Sequence, residues 1–227
     1  MRVTQRVRVF ETQWVTGSGS HFASWEDGVR YFLRDQWCWH AIQDVLFAAV
    51  ASIEAPHHPL YLSQQQESAD ALAATFRKIW TQQTDLFNTY SWRPGAVLQV
   101  AAEVAPHFLS GTIDRRRWRE LDRIGRTGSL AHEWVNARSR AFDTLLNRAV
   151  RQRNAIVHGQ ALVPAVIDSV EPFLDVLGGG LVRRWIDAAG GGTTVEQELE
   201  TSRAALRARF DGLPAEPSGF ALWPAAD

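Results

Sequence analysis

An arginine and a histidine five residues apart, with an amide between them, can handle a phosphodiester, and the string Gln152-Arg153-Asn154-Ala155-Ile156-Val157-His158-Gly159 supplies all three. A guanidinium donates paired hydrogen bonds to phosphate oxygens. An imidazole, which titrates near neutrality, takes or gives a proton. On a helix Asn147, Arg151, Asn154 and His158 form one polar row, because residues three, four and seven apart share a face. Arg153 flanks that row, and its side chain is long enough to bring the guanidinium round to the His158 end. The same residue types also have a plainer use. A basic side chain in the last turn followed by glycine finishes many helices, since cations suit the negative end of the helix dipole and glycine accepts left-handed dihedrals. Spacing does not choose between the two: Arg34 with His40, Arg126 with His132 and Arg151 with His158 fit the loose pattern as well.

The fuller string is more specific. Arg153-Asn154, three further residues and then His158-Gly159, with Ile156 and Val157 just before the histidine, resembles the signature of the HEPN superfamily (higher eukaryotes and prokaryotes nucleotide-binding domain). In that family an arginine, usually followed by a polar residue, precedes a histidine by a few positions, late in an all-α bundle with another helix after it. The resemblance is close over the motif and extends as a helical pattern over roughly residues 25 to 190. It implies a metal-independent, cofactor-free endoribonuclease. It also implies a homodimer whose two motifs face one cleft, acting as a toxin or defence effector beside a cognate antitoxin or defence-system partner. On this chain His158 would be the general acid or base on the 2′-hydroxyl or the leaving 5′-oxygen of RNA. Arg153 would hold the scissile phosphate, Asn154 would orient either of them, and Arg151 would add an RNA contact. In the branch whose antitoxin modifies a tyrosine shortly after the histidine, that place is a Tyr; here it is Gln160. The His-Gly ending is closer to the stand-alone and defence-linked branch. The alternative is a helical interaction module that binds nucleic acid or a partner protein without cleaving.

A second basic stretch, Asp114-Arg115-Arg116-Arg117-Trp118-Arg119, continues to Arg123 and Arg126. As a helix it sets Arg115 and Arg119 on a face able to track an RNA backbone, with Trp118 free to stack on a base. The competing reading is a solvated face, with Arg116 and Arg119 paired to Glu120 and Asp122 and Trp118 in the core; charge runs usually take that form.

Positioning these groups requires helices. After a start in which Val3, Val7 and Val9 alternate with Arg2, Arg6 and Arg8, which reads as a short strand, three-and-four spacing predicts helices over 27–54, 63–90, 95–109, 114–126 and 130–158. The inward row of the last is Leu130, Trp134, Ala137, Ala141, Leu145, Ala149 and Ile156, joined by Phe142 and Leu146, and Glu133 falls in its first turn, where a negative charge suits the dipole. Pro164 opens a further helix, expected to be kinked or broken at Pro172 and at Gly178-Gly179-Gly180. From Thr194 an acidic start and a basic finish predict another helix, and the tail LPAEPSGFALWPAAD reads as an arm. The expectation is an all-α, HEPN-like helical bundle: strand and loop over 1–24, bundle over 25–190, and a C-terminal helix and tail over 191–227.

Bulk properties narrow the class. With 227 residues, 45% hydrophobic and 22% charged, the composition is that of a folded globular chain. A net charge of −1 excludes binding nucleic acid by bulk attraction, so any contact is local. No window reaches the ~18 to 20 unbroken apolar residues of a membrane span, and the first residues carry charges where a signal peptide is apolar, so a cytoplasmic protein without a membrane partner is expected. Cys38, the single cysteine, reads as buried filler. His57-His58 lacks a third metal ligand at suitable spacing, His40 and Asp44 lie one turn apart, Trp37 and Trp39 lie on different faces, and the glycine runs lack the lysine and hydroxyl of a phosphate loop.

Overall fold

The computed structural model describes residues 2–11, 13, 22–54, 65–82, 90–161 and 164–222. Eight α-helices account for most of these: α1 (Arg2–Glu11), α2 (Trp25–Glu54), α3 (Gln65–Ile79), α4 (Pro94–Val104), α5 (Ile113–Arg126), α6 (Gly128–Val157), α7 (Pro164–Gly191) and α8 (Val195–Gly212). The class is all-α. Two compact units make up the chain, Met1–His40 with Val135–Ala208, and Ala41–Trp134 with Arg209–Asp227. Each gathers two separate stretches of sequence, so boundaries at 24/25 and 190/191 delimit neither. Among the described residues no helix is long and apolar enough to cross a membrane. The expected loop at 16–21 and His57-His58 lie outside the described residues.

In the first unit the alternating start is a helix, not a strand. A lone strand would leave its backbone N–H and C=O groups without partners, whereas a helix satisfies them internally. The decisive spacing is Val7 to Phe10, both fully buried among Trp25, Phe142, Leu146 and Leu174, which is one helical face rather than a period of two. Arg6 fixes α1 along α7, donating from Nη1 to the Glu171 carbonyl at 3.1 Å and pairing with the Asp175 carboxylate. Trp37, Phe142 and Phe173 form an aromatic cluster with centroids 5.3 to 6.0 Å apart. Pro172 and Gly178–Gly180 do not break α7. Its buried row of Val170, Phe173, Leu174, Leu177 and Leu181 contributes on the order of 10 kcal/mol, more than the about 6 kcal/mol that one internal proline and three glycines cost. α8 opens on a reciprocal cap: Thr194 Oγ1 accepts from Gln197 N at 3.2 Å while Gln197 Oε1 accepts from Thr194 N at 2.8 Å.

In the second unit α3 stops at Ile79, short of the expected 90. Trp80–Gln82 then pairs antiparallel with Tyr90–Trp92, Trp80 opposite Trp92; aromatic and β-branched residues at these positions favour strand over helix. Residues 213–222 are no arm either. Leu213 and Leu222 are buried, Gly128 N donates to Glu216 O at 3.2 Å and Ser218 Oγ to Gly125 O at 3.1 Å. Gly219 lies so close to the Ile124 carbonyl that a Cβ there would collide with it. Glu133, beyond the first turn of α6 because the helix begins at Gly128, pairs with Arg123 at 2.9 Å.

Candidate functional site

The end of α6 in the first unit is built from backbone upward. Gly159 has φ +67°, Gly159 N donates to Ile156 O at 3.2 Å and Gln160 N to Ala155 O at 2.8 Å. This pair of bonds around a left-handed residue is the Schellman termination, which satisfies carbonyls the helix would otherwise leave open. Chain reversal therefore explains the glycine. It does not explain the histidine before it: His158 makes the last i to i−4 bond of the helix, N to Asn154 O at 3.0 Å, and its side chain is exposed. Asn147, Arg151 and Asn154 are exposed too, so the polar row is a solvent face as its spacing demands.

Arg153 leaves the helix roughly 140° round from His158, by 3.6 residues per turn, and is half-buried. All three of its guanidinium nitrogens are engaged. Nε donates to Glu11 Oε1 at 2.9 Å, Nη2 approaches the same oxygen at 2.7 Å, and Nη1 donates to Asn154 Oδ1 at 3.2 Å. Glu11 is the last residue of α1. One position before the arginine, Gln152 turns inward instead: it is buried, and its Oε1 has no hydrogen-bond partner among the described residues.

No family model, curated protein or solved structure matches this chain. Geometry and chemistry alone speak for the site. They offer a solvent-facing imidazole at a rigid helix end, an amide that already bonds the neighbouring guanidinium, and a carboxylate brought in from the far end of the chain. Arg153 with Asn154 can hold an oxyanion and His158 can move a proton, from faces of α6 roughly 140° apart.

The basic helix α5, in the second unit, is arranged differently. Trp118 is fully buried and its Nε1 donates to Ser52 Oγ at 3.1 Å, so it has no face for a base and the stacking role is withdrawn. Arg115 turns back to the Phe108 carbonyl at 3.0 Å. The expected pairs of Arg116 and Arg119 with Glu120 and Asp122 do not form. Asp122 takes Arg126 at 2.6 Å, Asp114 takes Arg117 at 3.0 Å and Glu120 accepts the Trp134 indole, leaving Arg116 and Arg119 exposed. Cys38 is buried against Ser139 (Sγ to Oγ 3.4 Å), and burial pushes its thiol up to about 11, too high for a nucleophile at neutral pH.

Glu11 is the site residue that sequence reasoning missed. Reading residues 2–11 as a strand hid it, and nothing local links two positions 142 apart.

Proposed function

We propose that this chain is a metal-independent, HEPN-type endoribonuclease that works as a homodimer in the cytoplasm, as a toxin or defence effector. The observation that carries the reading is an exposed His158 on the last turn of the same helix that carries Arg153 bonded to Asn154, in an all-α chain. The substrate's 2′-oxygen attacks phosphorus and the bond to the 5′-oxygen breaks, giving a 2′,3′-cyclic phosphate and a free 5′-hydroxyl. One proton leaves the 2′-hydroxyl and another reaches the 5′-oxygen. A single imidazole cannot be free base and protonated acid at once, so His158 of a second copy facing the first supplies the other role. Arg153 stabilises the charge that grows on the phosphate. The internal nucleophile makes a metal dispensable, because proximity is built into the substrate. Arg151, exposed in the same row of α6 as His158, meets the RNA backbone. A cognate inhibitor would act by covering this cleft rather than by modifying a tyrosine, given Gln160.

A second reading, a non-catalytic interaction module, is favoured by one observation: the Arg153 charge is already met by Glu11. Expression in a bacterial host separates the two. Wild-type protein arrests growth and His158→Ala and Arg153→Ala each restore it; equal growth of all three leaves the module.

A further inference from the structure

We infer that Glu11 is a positioning residue, which locks Arg153 so that the remaining N–H groups of its guanidinium are kept for phosphate. The inference rests on the ribonuclease reading. A guanidinium carries five N–H donors in a planar fork and can present either its side edge, Nε with Nη2, or its head, Nη1 with Nη2. Glu11 Oε1 occupies the side edge, with Nε at 2.9 Å and Nη2 at 2.7 Å. Asn154 Oδ1 takes one N–H of Nη1 at 3.2 Å. One N–H on each terminal nitrogen remains for phosphate oxygens. The clamp is firm at its far end as well. Glu11 closes a helix held by Val7 and Phe10 in the core of the first unit and by Arg6 on α7, so the carboxylate sits on a rigid element rather than a loop. Its negative charge lowers the attraction of the site for RNA as it fixes the geometry. Glu11 therefore serves turnover more than binding.

This division sets the test, made on the full-length protein with a labelled RNA and with the same RNA blocked by 2′-O-methylation. Glu11→Gln keeps an oxygen acceptor and is expected to hold most of kcat. Glu11→Asp keeps the charge but withdraws the carboxylate by one methylene, and Glu11→Ala removes it; both are expected to lower kcat by on the order of 10- to 100-fold, the cost of a misplaced group. KM and the affinity for blocked RNA stay level or improve. Adding Glu11→Ala to Arg153→Ala brings no further loss, since the two act as one unit. Arg6→Ala, which loosens α1 at its far end without removing the Glu11 carboxylate, is expected to lower kcat less than Glu11→Ala does. Equal loss in Arg6→Ala and Glu11→Ala would make Glu11 a mere anchor of α1 and overturn the role. So would full activity in Glu11→Asp with loss in Glu11→Gln, or a faster enzyme in Glu11→Ala, which would mark a blocking anion. Wild-type activity in every Glu11 variant sinks this inference and spares the nuclease. A wild-type protein that neither cleaves RNA nor changes with His158→Ala sinks both.

Discussion

On α5 two arginines find carboxylates within a turn of themselves, Arg117 with Asp114 and Arg126 with Asp122, and Arg123 reaches the exposed Glu133 of α6, whereas at the end of α6 the half-buried Arg153 is held by Glu11, 142 positions away. Pairs of the first kind trim a solvated face and contribute little, because water and salt screen them. A long-range pair on a half-buried guanidinium instead depends on the fold being complete, and it fixes a direction in space. An arginine-rich run is thus a weaker pointer to function here than the half-buried Arg153, held by a carboxylate from a distant stretch of sequence.

Four measurements break or sharpen this contrast. The largest effect is expected at Trp118: Trp118→Ala removes a buried indole and should cost about 3–5 kcal/mol in denaturant unfolding, while the variant, kept below its melting temperature, binds RNA as before. Weakened binding by a well-folded variant would return Trp118 to the nucleic-acid face. Next is Arg153→Ala, expected to lower the cleavage rate by on the order of 10²–10³-fold, as the loss of one oxyanion-stabilising donor does. A change below threefold would place Arg153 with the structural arginines of α5. Charge reversal at Arg119 comes third. If α5 is a solvated face, the slope of log affinity against log salt stays the same for Arg119→Glu; a slope reduced by about 0.7, one phosphate contact on a single strand, would make α5 part of the RNA path.

The smallest effect concerns two residues of the first unit that differ in exposure. Cys38 is buried and His158 exposed, so iodoacetamide at pH 8 should leave Cys38 unmodified in native protein and label it in denaturant. Because the folded thiol keeps its proton up to about 11 and an unfolded one loses it near 9.0, its contribution to stability is intact below pH 9 and falls away as pH rises between those values. Rapid labelling of native Cys38 would contradict its burial.

Much of the fold could be read where local signals decide. The Thr194 cap, the Gly159 termination and the amphipathic spans of α5 and α6 rest on contacts within a few residues, and all four form as their residue types require. Reading failed where tertiary packing outvoted local pattern. The valine alternation in α1 gave way to the burial of Val7 and Phe10; the breakers in α7 were outweighed by its apolar row; the tail folded because Gly219 lets it approach Ile124. On α6, Ala137 of the expected inward row is exposed while Gln152 turns in. The site divides the same way. Arg153, Asn154 and His158 are singled out by the resemblance of the string they form, since spacing alone fits other pairs, and the bond between the first two follows from their adjacency. Glu11 could not be, because its partner is fixed only by how α1 docks.

The most direct test of the ribonuclease reading is incubation of purified protein with end-labelled RNA in EDTA, with product ends identified by their susceptibility to phosphatase and kinase. Products ending in 2′,3′-cyclic phosphate, formed by wild type and absent with His158→Ala, are expected. Cleavage only on addition of Mg²⁺, or products that persist unchanged in His158→Ala, would contradict it.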